Sequence, residues 1–106
     1  MNQRETRVFR ALGDPTRRAL FERLTVGEAA VGELTGRFRV SQPAISQHLA
    51  VLRGAGLVEQ RRDGRRVLYR VSRAGLQPLA GWIGRYQAFW LDRLGRMKQI
   101  LEEMEP

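Results

Sequence analysis

The chain has 106 residues, 42 % apolar and 28 % charged, which is the make-up of one small globular unit, residues 1–106, with a modest core. It holds no cysteine, which excludes disulfides and thiolate metal sites, and no apolar run near the ~18 residues that a membrane span needs. The formal net charge is +8, and residues 37–73 carry nearly all of the excess, with nine arginines against Glu59 and Asp63.

The opening MNQRETRVFRALGD has arginines but no apolar core region, so it is not expected to be a secretory signal, and a cytoplasmic protein is expected. A first helix is predicted from Arg4 to Leu12, with Val8, Phe9 and Leu12 on one side and Gly13 as its stop. Asp14-Pro15 supplies the N-cap and first turn of a second helix with Ala19, Leu20 and Leu24 at core spacing, fraying near Gly27. A short third helix turns Val31, Leu34 and Phe38 inward. In FRVSQPAISQHLAVL, Ser41 is a good N-cap, Pro43 is tolerated in the first turn, and Ile45, Leu49 and Leu52 form one apolar stripe. Gly54 and Gly56 are expected to stop this helix.

LVEQRRDGRRVLYRV reads as two strands around a two-residue Asp63-Gly64 turn, with Val58, Val67, Tyr69 and Val71 on one face. From about Ala74 or Pro78 the chain is predicted to be one long helix. Leu79, Ile83, Tyr86, Trp90, Leu94, Met97, Leu101 and Met104 step by three and four along it. Such a rod, about 40 Å long, outruns what the remaining residues can cover. Its simplest partner is the same helix from a second copy, so a homodimer is expected.

A short helix, a tight turn and a second helix make a helix-turn-helix, whose second helix enters the major groove; the added hairpin makes it winged. The expected fold is therefore mainly α with a β-hairpin wing, in the order four helices, two strands, one helix. The helix-turn-helix spans about 30–54, the wing 57–72, and the dimerisation helices 4–12 and 76–104.

The segments ALGDPTRRALFERL and VGELTGRFRVSQPAISQHLAVLRGAGLVEQRRDGRRVLYRV, with the aromatic terminal helix, resemble the ArsR-type (ArsR/SmtB) winged-helix transcriptional repressors. The likeness is to the cysteine-free branch that does not sense metal, ending in segments such as WIGRYQAFWLDRL. It implies a homodimer that binds double-stranded operator DNA and represses transcription.

The residues themselves point the same way. With Ile45, Leu49 and Leu52 inward, Ser41, Gln42, Ala44, Ser46 and Gln47 lie outward around the N-terminal tip, small or amide-bearing and uncharged. Close approach to base edges requires such side chains. His48 lies on the flank, placed for packing or a phosphate contact. Arg62, Arg65 and Arg66 flank the wing tip, and Arg37 and Arg39 the turn, within reach of phosphate, which guanidinium groups pair bidentately. Arg39 stands where such turns often hold glycine, and a left-handed backbone there costs ~1 kcal/mol.

One histidine without cysteine cannot assemble a transition-metal site, and no acid lies at helical spacing from His48 to build a catalytic pair. No metal, cofactor or enzymatic activity is expected. Phe9, Leu79, Trp82, Ile83, Tyr86, Phe89, Trp90 and Leu94 are candidates for the dimer interface, or for the pocket of an unknown small-molecule effector. A dimeric protein-interaction module that reads no DNA, and a non-specific nucleic-acid binder, are the alternative functions.

Overall fold

The computed structural model describes residues 2–104. Helix α1 (Gln3–Leu12) begins one residue before the expected Arg4 because Asn2 caps it. The Asn2 side chain accepts the Glu5 N–H at 2.8 Å, and the Glu5 carboxylate accepts the Asn2 N–H at 3.3 Å. Helix α2 (Pro15–Thr25) starts as Asp-Pro dictates, with Asp14 accepting the Arg17 N–H at 3.0 Å. The Arg17 Nε then donates back to the Ala11 carbonyl at 2.7 Å, and Arg18 donates to the carbonyls of Leu12 and Gly13. Two guanidinium groups thus satisfy carbonyls that the end of α1 leaves open.

A two-residue strand, β1 (Ala29–Ala30), leads directly into α3 (Val31–Phe38). The three residues Arg39, Val40 and Ser41 separate α3 from α4 (Gln42–Gly54). Arg39 takes the left-handed conformation (φ 48°, ψ 35°) that its place in the turn demands. Ser41 caps α4 by accepting the Ala44 N–H at 3.3 Å. Gly54 does not stop this helix but lies within it. The stop falls at Gly56 (φ +80°), whose N–H donates to Arg53 while Leu57 N–H donates to Leu52, the bond pair of a Schellman ending. Only a residue free to take positive φ closes that motif, so Gly56 sets the boundary.

Strands β2 (Val58–Asp63) and β3 (Arg66–Val71) pair antiparallel, Val58 opposite Val71 and Asp63 opposite Arg66. The connecting turn is therefore Gly64-Arg65, one residue later than the expected Asp63-Gly64. Gly64 has φ +63° and Arg65 does not have positive φ. That is the type II′ pattern, which needs glycine at the first central position, whereas an Asp-Gly centre would put Asp63 in the left-handed region as well. The sheet has three strands in the order β1-β3-β2, since Ala29 and Ala30 pair with Tyr69 and Leu68. The wing is thereby stitched to the start of α3.

The core lies where α1, α2, α3, α4 and the inner face of the sheet meet. Val8, Leu20, Leu34, Ile45, Leu49, Leu52, Leu57 and Val58 are its largest fully buried members. After a short 3₁₀ turn (Ala74–Leu76), α5 (Gln77–Met104) runs 28 residues, about 42 Å at 1.5 Å per residue. Only its first turns join the body, through Leu79 against the core and Arg85, which ion-pairs with buried Glu5. None of its residues is buried. The radius of gyration, 18.8 Å, exceeds the ~13 Å of a compact chain of this length because α5 projects. No helix among the described residues is long and apolar enough to cross a membrane.

Candidate nucleic-acid interface

Burial of Ile45, Leu49 and Leu52 fixes the rotation of α4 about its own axis, and so decides what its other face presents. Ser41, Gln42, Ser46 and Gln47 are exposed, while Ala44 and His48 are half-buried on the flanks. The exposed tip of α4 thus carries hydroxyls and amides and no charge, a surface that can hydrogen-bond to base edges without a desolvated ion. Pro43, exposed beside Gln42, removes one backbone N–H from the first turn without loss, because that N–H has no helical partner.

His48 has an acidic neighbour that sequence spacing does not disclose. Asp14, brought in from the start of α2, has a carboxyl held below its usual range. The chief cause is the backbone N–H of Arg17 that it accepts, and the charges of His48 and Arg17 add to the effect. His48 is thus placed at the α2–α4 contact, on the flank that its helical phase predicts.

Arginines lie in the turn just before the tip and along the wing. Arg37 lies in the last turn of α3 and Arg39 occupies the turn after it, both exposed. The wing carries five arginines, and register sorts them. Directly opposed residues share a face, so Arg61, Arg66 and Arg70 lie on the outer side with Leu68, whereas Arg62 lies on the side of Val67 and Tyr69, beyond the core. Each outer arginine has a carboxylate. Glu28 takes Arg61 through two bonds, Glu59 takes the Nε of Arg70 at 2.7 Å, and Glu33 takes Arg66. Arg62 and the tip residue Arg65 make no ion pair among the described residues.

Glu28 and Glu33 are the residues that sequence reasoning overlooks. Each lies 33 residues from its arginine, beyond any local pattern. Glu33 is legible only as the third residue of α3, where it accepts the Ala30 N–H at 3.4 Å.

The candidate interface residues on α1 and α5 divide in two. Leu79 belongs to the core's margin, and Phe9 and Trp82 meet edge to face at 4.8 Å, half-buried. Beyond them Trp82 stacks on Tyr86 at 4.8 Å, and Ile83, Tyr86, Phe89, Trp90 and Leu94 remain exposed. Trp82, Arg85, Tyr86 and Phe89 line a shallow concavity of about 280 Å³.

Comparison with known proteins agrees with this geometry. Residues 14–60, from the cap of α2 into β2, match the family described as bacterial regulatory protein, arsR family. The chain is 44 % identical over 96 residues to the HTH-type transcriptional regulator Rv2034 of Mycobacterium tuberculosis, covering 91 % of this chain and 87 % of that one. It is 34 % identical over 76 residues to the transcriptional repressor SdpR of Bacillus subtilis, covering 72 % and 84 %. An ArsR-like transcriptional regulator from Rhodococcus sp. RHA1 superposes with a TM-score of 0.73 at 37 % identity over 92 % of both chains. The transcriptional repressor BigR from Xylella fastidiosa does so with 0.61 at 36 %, over 74 % and 80 %. Likeness that runs through the helix-turn-helix, the wing and most of the remaining chain, in sequence and in fold alike, shows that the protein belongs to the bacterial ArsR family of DNA-binding transcriptional regulators.

Proposed function

We propose that the protein acts in the cytoplasm as a homodimeric repressor on a pseudo-palindromic operator, with α1 and α5 joining the two copies. The observation that carries this reading is the uncharged, exposed tip of α4 set between arginines of the turn and the wing. Gln42, Ser46 and Gln47 read base edges, Ser41 and Ala44 let the backbone approach, and His48 supports the flank. Arg37, Arg39, Arg62 and Arg65 meet phosphates, with Arg66 beside them on the wing. In a twofold dimer the reading helices enter successive major grooves about 34 Å apart. A small effector, where one acts, has its nearest seat in the aromatic concavity at Trp82 and Tyr86.

The test is a gel shift on the DNA upstream of the protein's own coding sequence, titrated against mixed-sequence competitor. Gln47→Ala should lower the preference for the upstream duplex, at roughly 1–3 kcal/mol for a lost bidentate base contact, with little change on competitor. Arg65→Ala should weaken both duplexes equally. Equal losses on both duplexes from both variants would refute the division of labour, and a folded dimer that shifts neither duplex would favour a protein-interaction role instead.

A further inference from the structure

Strand β1 supports the hairpin only as far as the Ala30–Leu68 pair. Past that point, from Arg62 to Val67, the wing is a two-stranded ribbon, and such ribbons are marginal by themselves and strongly twisted. Two ion pairs tie the wing to the reading unit, one at the edge of this free part and one within it. Glu28, just before β1, grips Arg61 with both carboxylate oxygens, and Glu33, in the first turn of α3, grips Arg66 with the same oxygen that accepts the Ala30 N–H. The side chains of the two pairs are between about a third and three-fifths exposed, so they add little to overall stability. They join one point before β1 and one on α3 to one point on each wing strand, and two such ties fix direction.

We propose, resting on the DNA-binding reading above, that Glu28 and Glu33 are positioning residues. They hold the wing at a set angle to α3 and α4, and they keep Arg61 and Arg66 off the DNA, so the wing delivers two arginines per subunit to phosphate: Arg62 and Arg65. Arg66, which by sequence belongs with the phosphate contacts, has its guanidinium committed to α3. A specific wing angle serves sequence choice, because it decides whether the wing's contacts and the α4 contacts can be made together.

The salt dependence of binding counts phosphate contacts and so separates the two roles. Binding of the full-length protein is measured at several salt concentrations on the upstream duplex and on a mixed-sequence duplex of equal length. Each phosphate contact contributes about 0.9 to the slope of log K against log salt, and a dimer holds two copies of each arginine. Arg62→Gln and Arg65→Gln should each make the slope shallower by about 1.8. Arg66→Gln should leave the slope unchanged and weaken the upstream duplex by about 3- to 10-fold at every salt. Glu33→Gln keeps an oxygen for the Ala30 N–H while removing the charge, so α3 stays capped. It should weaken the upstream duplex to the same extent, and the double variant should be no worse than either single one, as expected for two residues acting as a unit. Thermal melts of all variants confirm folding.

If Arg66→Gln lowers the slope as Arg65→Gln does, Arg66 contacts phosphate and the proposal is overturned. A Glu33→Gln protein that binds more tightly overturns it too, since the carboxylate would then merely compete with DNA. A wild-type protein that shifts neither duplex overturns the DNA-binding reading itself and this proposal with it.

Discussion

In the winged body, Leu20, Leu34, Ile45, Leu49, Leu52 and Leu57 are at most 1 % exposed, whereas along α5 Leu91, Leu94, Met97, Ile100 and Leu101 stand 54–61 % exposed. Both sets are large apolar residues, and full burial of such a side chain contributes roughly 1.5–3 kcal/mol. In the body that contribution is realised inside one chain. On α5 it is not, while Gly81, Gly84 and Gly95 weaken the helix by up to ~1 kcal/mol each. One stretch of sequence specifies a fold, and the other specifies a surface that works only once something covers it. This contrast is the physical ground for proposing that α5 serves dimerisation.

The contrast can be broken at its strongest point first. Leu49→Ala opens a cavity where α4 meets the core and should cost about 2–5 kcal/mol, read as a lower urea midpoint for the body. Leu94→Glu leaves the body's packing untouched and places a carboxylate on the exposed stripe. It should convert the proposed dimer to monomer in sedimentation at micromolar concentration, with an order-of-magnitude or greater loss in DNA affinity. Were Leu94→Glu to unfold the body while Leu49→Ala altered only assembly, the two regions would have exchanged roles.

The smallest effect lies at the seam. Glu5 is 3 % exposed, and its carboxyl is held below the usual glutamate range, chiefly by the hydrogen bond from Arg85 of α5 and also by the Asn2 N–H. A carboxylate with a depressed folded-state pKa stabilises the protein above its unfolded value and loses that contribution as pH falls through the folded one. Stability should therefore drop below about pH 4.5, the ordinary glutamate value. Glu5→Gln should lower the neutral-pH melting temperature and flatten that acid limb. An acid limb of the same depth in Glu5→Gln would remove the Glu5–Arg85 link as its source.

Local chemistry made the helices legible. Asp14-Pro15, Ser41 and the stripe Ile45, Leu49, Leu52 each combine a cap or a period with one structural outcome, and the left-handed Arg39 followed from its place in the turn. What escaped needed partners far along the chain or a choice between near-equal local options. Ala29-Ala30 has no alternation to mark a strand, and it becomes one only because β3 offers it an edge. The wing turn moved by one residue because a single glycine favours type II′ over type I′. Gly54 and Gly56 look alike in sequence, yet only Gly56 closes the Schellman bonds. At the interface, the outward residues of α4 followed from helical phase, while the commitment of Arg61 and Arg66 to Glu28 and Glu33 depended on tertiary register.

Gly56 touches a second glycine. A Cβ placed on Gly75 would lie 1.5 Å from the Gly56 oxygen, so the backbone just before α5 rests directly on the loop that ends α4. That contact lies at the base of a long lever, below the Leu79, Trp82 and Arg85 contacts that also seat α5 on the body. A rotation of about 10° there would swing the far end of the ~42 Å rod by roughly 7 Å. In the proposed dimer, where two such levers are joined, a small change of angle at this end is magnified at the other. A side chain at Gly75 would force these two backbones apart and tilt α5, so in the proposed dimer it would change the spacing of half-sites that the pair can span.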